Sequence, residues 1–184
     1  MVWKTLGEVA EIGTGKSNRQ DKDENGKYPF YVRSKNVLRA EHFQFDETAI
    51  IIPGEGGIGD IFHYVQGKYA LHQRAYRICP VYQQLEPKFL YHIIANNFKS
   101  YILARSVGAT ATSIRKPMIE DFPVPVPPLE LQQKIVKILD KFETLTHSLS
   151  DGLPKEIALR RKQYEYYREQ LLNFRHSETP PEIV

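Results

Sequence analysis

The sequence predicts an α+β chain: a mixed, β-rich globular domain over residues 1–128, two heptad-patterned helices forming a coiled-coil spacer or dimerisation arm over 129–176, and a polar tail at 177–184. Three observations carry that prediction. The run from Thr48 to Ile52, β-branched except at Ala49, ends in a glycine-rich loop, the pattern of a strand buried on both faces. Apolar residues at Leu131, Ile135, Ile138, Phe142, Leu145 and Leu149 recur four and three apart, which are the a and d positions of a heptad. A second series, Leu153, Ile157, Tyr164, Tyr167, Leu171 and Phe174, broken only by Arg160, is out of phase with the first. The slip falls at Asp151-Gly152-Leu153-Pro154, where Gly suits a helix C-terminus and Pro the first turn of the next helix.

At about 1.5 Å per residue the two helices are roughly 28 and 33 Å long. Each presents a narrow apolar seam. Either the pair packs on its own domain, or the second helix pairs with another subunit, an identical one included.

Composition narrows the class. A chain of 184 residues, 41% hydrophobic, with no apolar run near the eighteen or so needed to cross a bilayer, is expected to be soluble, one domain plus an appendage. Met1 to Ala10 lacks the apolar core of a signal peptide, and the single Cys79 has no internal disulfide partner, so a cytoplasmic location is expected. Cys79 reads as a small apolar strand residue. The net charge of +3 is modest, but it is unevenly spread. Residues 1–60 carry eight Lys and Arg against ten acids, whereas 61–119 carry eight against the lone Glu86. From 129 onwards nine bases meet nine acids. The positive excess sits on the middle of the globular domain, where it could gather a polyanion.

In chain order, Thr5-Leu6-Gly7-Glu8 is a capping box, and Leu6, Val9, Ala10 and Ile12 share a helical face that Gly13 ends, so a short helix opens the chain. Ala10 to Ser17 meets the loose phosphate-loop spacing. A nucleotide site would need a strand before the glycines and a helix after Lys16-Ser17, whereas a helix precedes and the polar Asn18 to Lys27, with an Asn25-Gly26 turn, follows. The remaining reading is a turn whose Lys16 and Ser17 touch a phosphate backbone. Tyr28 to Val32 is a short strand left by the polar loop Arg33-Ser34-Lys35-Asn36. After the Thr48–Ile52 strand, Pro53 to Asp60 holds four glycines in six positions, a backbone able to lie very close to a ligand at Glu55 and Gly56. Ile61 to Val65, a Gln66-Gly67 turn and Lys68 to Leu71 read as a hairpin, and His72 to Ile78 as a further strand carrying Gln73, Arg74, Tyr76 and Arg77. These types suit base edges and phosphates. Pro87 opens a helix with Phe89, Leu90, Ile93 and Ile94, and after Asn96-Asn97 a second amphipathic segment runs to Gly108. Thr110 to Lys116 is hydroxylated and then doubly basic, suited to phosphate contacts through Thr112, Ser113, Arg115 and Lys116. Pro117 to Asp121 is a helical turn and Phe122 to Val126 an extended run.

No catalytic motif emerges. The six histidines never fall at HxxH or HExxH spacing, no Ser or Cys nucleophile is framed by a motif, and the loop-plus-tetrad pattern of a base methyltransferase is absent. A non-catalytic recognition module is the expectation.

A resemblance then becomes legible. Leu6-Gly7-Glu8-Val9 with Gly13-Thr14-Gly15, then Ile52-Pro53-Gly54-Glu55-Gly56-Gly57-Ile58-Gly59, then Phe122 to Leu129 with Gln132 and Ile135 to Asp140, and finally Glu156-Ile157 through Arg161-Lys162-Gln163-Tyr164-Glu165-Tyr166-Tyr167-Arg168 to Leu171-Leu172, together resemble the DNA-specificity (S) subunit of Type I restriction–modification systems. The resemblance implies that residues 1–128 are a target recognition domain reading half of a split site in double-stranded DNA, and that the helices space it from a second such domain. It implies a half-length form, since the family's usual chain carries two of each. It also implies modification (M) subunits that bind S-adenosylmethionine and methylate adenine, and restriction (R) subunits that use ATP and Mg. No cofactor or metal is expected on this chain itself. A homodimer would read an interrupted palindrome. The other readings are a silent or truncated exchange cassette, an adaptor with a coiled-coil docking arm and no DNA role, and an enzyme of unrecognised type. The family transfers no base-contact residues, so the expected DNA-binding set rests on loops and charge: Lys16, Ser17, Arg33, Lys35, Asn36, Glu55, Gly56, Gln73, Arg74, Tyr76, Thr112, Ser113, Arg115 and Lys116. The expected dimer interface is Leu153, Ile157, Arg160, Tyr164, Tyr167, Leu171 and Phe174.

Overall fold

The computed structural model describes residues 1–105, 113–148 and 154–174, in two compact units, Met1–Val136 and Lys137–Val184. In the first unit β1 (Val2–Thr5) leads into α1 (Leu6–Val9) and β2 (Ala10–Thr14). Then come β3 (Tyr28–Tyr31), β4 (Leu38–Ala40), β5 (Phe45–Pro53), β6 (His63–Leu71) and β7 (Ala75–Pro80). Helices α2 (Pro87–Arg105) and α3 (Lys116–Glu120) precede β8 (Pro123–Val126), and α4 (Leu129–Ser148) begins in this unit. Helix α5 (Pro154–Leu172) lies in the second unit. Among the described residues no helix is long and apolar enough to cross a membrane.

Six strands form one sheet in the order β2-β7-β5-β6-β3-β4, and β1 pairs with β8 in a separate ribbon. All neighbours are antiparallel except β3 and β6. Strand β5 is buried on both faces, as its run of Ala and Ile demands. Ala49 and Ile51 cluster with Val65, Tyr69, Leu71 and Ala75. Ile50 and Ile52 point the other way, toward the face that α2 covers with Phe89, Leu90, Ile93 and Ile94.

The sheet curls at the end of β6. There the His72 N–H donates to Tyr31 O at 2.9 Å on one side, while the Ser17 N–H donates to Leu71 O at 3.2 Å and the Gln73 N–H to Ser17 O at 2.9 Å on the other. The segment leaving β2 thus lies against one edge of this turn and β3 against its opposite edge. Gly15 makes the approach possible, because a Cβ there would sit 1.8 Å from Leu71 O.

Several elements differ from the sequence expectation. The capping box forms, with the Thr5 N–H donating to Glu8 Oε2 at 2.6 Å, but the helix it opens stops at Val9. Ala10 and Ile12 instead pair with Pro80 and Ile78 as a strand. A strand therefore does precede the glycines of the loose phosphate-loop match. What removes the nucleotide reading is that the loop's amides are taken: the Lys16 N–H by Gln44 Oε1 at 3.1 Å and the Ser17 N–H by Leu71 O. Gln66-Gly67 is not a turn, since β6 runs through it with a constant register against β5, Thr48 facing Gln66 and Glu47 facing Gly67. Helix α2 likewise passes through Asn96-Asn97 unbroken, because Phe98, Tyr101 and Ile102 continue its buried face. His72 to Arg74 form the turn before β7, so the following strand starts at Ala75.

On α4 the buried stripe is Gln132, Ile135 and Leu139, whereas Leu131 and Ile138 of the expected seam are 44% and 41% exposed. Gln132 explains the shift. Its Nε2 donates to Pro127 O at 2.7 Å and to Gln84 O at 2.8 Å, and its Oε1 accepts from the Glu86 N–H at 2.8 Å, which holds the start of the helix against the domain. In the second unit the Tyr167 ring stacks on Phe142 at 5.6 Å, so one expected dimer residue packs within the chain. Tyr164 is half-buried with the Arg168 guanidinium over its ring, and Arg160, Leu171 and Phe174 are half-buried as well. Leu172, outside the expected seam, is fully buried, and the exposed apolar residues among the described part of this helix are Leu159 (68%), Tyr166 (60%) and Tyr167 (40%), the last stacked on Phe142. Leu149 and Leu153 fall outside the described residues, as does the side chain of Ile157.

Candidate nucleic-acid interface

Three connections converge at the curl: the loop after β3, the glycine loop after β5, and the turn between β6 and β7. They enclose a cleft of about 770 Å³ lined by Arg33, Lys35, Asn36, Glu55 and Gly56, with His72 at its floor. A shallower groove beside it, of about 390 Å³, adds Asn18, Gln20, Gln73 and Arg74. Arg19 and Arg33 line both.

Glu55 is the hub. Its Oε1 accepts from Arg33 Nη1 and, at 2.8 Å, from Arg74 Nη1. Those contacts hold its carboxyl below the usual carboxylate range, the Arg74 hydrogen bond contributing most. The loop that carries it is fixed through its backbone. The Gly54 N–H donates to Arg74 O and the Ile114 N–H to Gly54 O, both at 2.9 Å, and Ser113 bridges Glu55 as an isolated antiparallel pair. Gly54 permits this approach, since a Cβ there would meet Arg74 O at 2.9 Å and the Tyr76 ring at 3.1 Å. The loop then opens out at Gly56 (φ 65°), where no atom would obstruct a side chain.

His72 braces the turn from below. Its Nδ1 accepts from the Arg74 N–H at 3.0 Å, so that nitrogen carries no proton. Burial depresses its pKa, and the Arg33 and Arg74 guanidiniums lower it further. The loop after β3 is held in turn by His63 Nε2, 3.1 Å from Ser34 O.

The structure brings Arg33, Lys35, Asn36, Glu55, Gly56, Gln73 and Arg74 of the expected set to one place. Lys16 is exposed beside them, one residue from the Ser17–His72 bridge. Ser17 is different: it is buried, and its hydroxyl accepts from Gln44 Nε2, so its side chain is structural. Tyr76 supports the glycine loop, its hydroxyl donating to Ile114 O at 3.4 Å. Ser113 touches the loop through its backbone, whereas Arg115 and Lys116 lie at the start of α3, outside the cleft lining, with Lys116 3.5 Å from Glu120. Thr112 falls outside the described residues. Arg19 and His72 were not expected. The polar run after Ser17 could have suggested Arg19, but no local pattern marks His72, whose role follows from the curl.

Arg77, on the strand beside these residues, belongs elsewhere. It is buried between Glu11 at 2.6 Å and Glu47 at 2.9 Å, with Tyr69 Oη also donating to Glu47 at 2.7 Å. Cys79 lies near this network, and burial pushes its thiol up to about 11.

The comparisons with known proteins agree with this architecture. Residues 1–159 match the family described as Type I restriction modification DNA specificity domain. The chain is 33% identical to the Escherichia coli Type I restriction enzyme EcoR124I/EcoR124II specificity subunit, over 96% of its own length and 49% of the relative's. It is 32% identical to a putative specificity subunit of Haemophilus influenzae over 93% and 46%. It therefore spans about half the length of these curated relatives. Among solved structures, the S subunit from M. genitalium superposes with a TM-score of 0.67 at 18% identity, over 81% of this chain and 40% of that one. The HsdS subunit from Thermoanaerobacter tengcongensis gives 0.60 at 18% identity, over 94% and 44%. A match that runs through the sheet, α2, α3, α4 and into α5 leaves one conclusion: this chain belongs to the Type I restriction–modification DNA specificity family.

Proposed function

We propose that the chain is the sequence-recognition component of a Type I restriction–modification enzyme, docking on double-stranded DNA through the cleft around Glu55 and directing partner subunits to the site it reads. The observation that carries this is the convergence of Arg19, Arg33, Lys35 and Arg74, from three connections, on one open face of a specificity-family domain. Exposed cations anchor phosphates and give affinity, while forked or amide side chains such as Arg and Asn can read base edges. Methylation of adenine belongs in this reading to M subunits with S-adenosylmethionine, and cleavage to R subunits with ATP and Mg. This chain contributes no catalytic group.

Two copies would read a site with two inverted, identical halves. The exposed apolar pairs Leu131 and Ile138 on α4, and Leu159 and Tyr166 on α5, are each seven residues apart, the spacing of a helix-pairing stripe, and support an assembly through the helices. The direct test is methylation mapping of DNA from cells that hold the M subunits with and without this chain. Modified adenines at one bipartite motif, present only with the chain, are expected. An identical methylome in both would refute the proposal.

A further inference from the structure

Within that DNA-reading role, on which this step depends, we propose that Arg33 and Arg74 are base readers directed at guanine, and that Glu55 is the positioning residue that holds their guanidinium planes. The geometry separates these two arginines from the other cations of the face. Both donate to a single carboxylate oxygen, Glu55 Oε1, through one terminal nitrogen each. Among the described residues Lys16, Arg19 and Lys35 make no ion pair, so their full charge is available to phosphates.

A carboxylate between two arginines is a poor arrangement for binding phosphate. It cancels one of the two positive charges and places a negative oxygen where the phosphate would approach. The same carboxylate is an advantage for reading a base, which carries no net charge. Guanine offers O6 and N7 side by side on its major-groove edge, and a guanidinium meets both only when its plane is fixed. Each guanidinium has five N–H donors, and a contact from one terminal nitrogen leaves the opposite edge free to form that fork. Both side chains are solvent-accessible, Arg33 at 44% and Arg74 at 59%.

The acid itself is placed with little freedom. Gly54 and Arg74 are joined backbone to backbone, Glu55 is bridged by Ser113, and His72 holds the Arg74 amide. Glu55 therefore meets Arg74 in a fixed frame. Arg33 arrives from a loop tied to His63. The pre-set fork spares the ordering cost that a free arginine pays on binding.

The test uses the full chain copurified with its modification subunits and a library of random-sequence duplexes, with wild type, Arg33→Lys, Arg74→Lys and Glu55→Gln selected in parallel. Wild type should enrich a motif containing guanines. Each lysine variant should lose preference at one of them while total binding to unselected DNA stays within about threefold, because charge is retained. Glu55→Gln should bind unselected DNA more tightly, with a steeper salt dependence, and lose preference at both guanines together. Replacing those guanines by 7-deazaguanine, which lacks the N7 acceptor, should weaken wild type by about tenfold and leave Glu55→Gln nearly unaffected. Thermal melting confirms that each variant is folded. If the lysine variants keep the wild-type motif, or if 7-deazaguanine has no effect on wild type, the two arginines are not guanine readers. If wild type enriches no sequence at all while binding DNA, the recognition role itself falls, and this assignment with it.

Discussion

His72 shows how one side chain couples the cleft to solution conditions. The folded chain keeps its imidazole neutral, because burial and then Arg33 and Arg74 disfavour the cation while Glu55 and Asp21 offset this in part. The unfolded chain takes up a proton near the ordinary histidine value of about 6.5, so it binds more protons below that pH. The stabilisation is thus complete above about pH 6.5 and lost as the pH falls through and below it. Denaturant titrations from pH 7.5 down to 5 should show stability falling, with a shallower fall in His72→Gln. At Gly54 the constraint is steric rather than electrostatic. Gly54→Ala should melt close to wild type yet lose most sequence-selective binding, since a Cβ at 2.9 Å from Arg74 O must displace the backbone that carries Glu55. Equal selectivity in this variant would remove the loop from the interface. Cys79, with its thiol pushed up to about 11, should react with iodoacetamide at pH 8 far more slowly than a free thiol, and speed up on unfolding.

At the scale of elements, the start of α4 is fixed to the sheet domain by a buried amide. Gln132 satisfies a backbone N–H and two carbonyls from the β8–α4 junction and the Gln84–Glu86 turn. Removing it leaves those groups without their partner at a fully buried position, so Gln132→Ala should cost about 2–3 kcal/mol in a denaturant titration. A loss below about 0.5 kcal/mol would mean that water replaces it. The sequence presents this residue as one polar break beside a heptad seam. Its burial could not be read there, because its partners lie 5, 46 and 48 residues away.

At the scale of the molecule, the positive excess of residues 61–119 is partly spent within the fold. Arg77 is buried between two acids, Lys99 pairs with Asp60 and Lys116 with Glu120. The cations left for phosphates near the cleft come largely from the segment with net negative charge. Reversing Arg19 and Lys35 together should therefore reduce the log–log salt slope of DNA binding by about 1.8, since each phosphate contributes about 0.9. Reversing Arg115 and Lys116 should change it less; the opposite order would move the interface toward α3. Assembly follows the exposed helix faces. Leu159→Glu with Tyr166→Glu should leave the chain folded but shift it to monomers in sedimentation at tens of micromolar, and abolish methylation of a palindromic bipartite site. If the unmodified chain is already monomeric there, the two-copy assembly fails. A spacer of one turn of B-DNA or shorter, about eight to ten base pairs, is expected from α5, whose 19 residues at about 1.5 Å each span roughly 28 Å.

By itself the sequence determined the burial of β5, the capping box, the turn at α3, the two helices and the family, because each is written in residues close together or in a repeat along one segment. The tertiary structure decided where that local information misleads. Gly67 continues a strand because its partner Glu47 faces it from β5, and Ala10–Thr14 is extended because β7 offers an edge. It also decided the site. Arg33 and Arg74 lie 22 and 19 residues from Glu55, and no spacing announces that the three meet. Their meeting depends on the curl at the end of β6, on the close approach of Gly15 to Leu71, and on the backbone bonds of Gly54. Periodicity records which side of a segment is buried, whereas the register between segments sets which side chains share a charge.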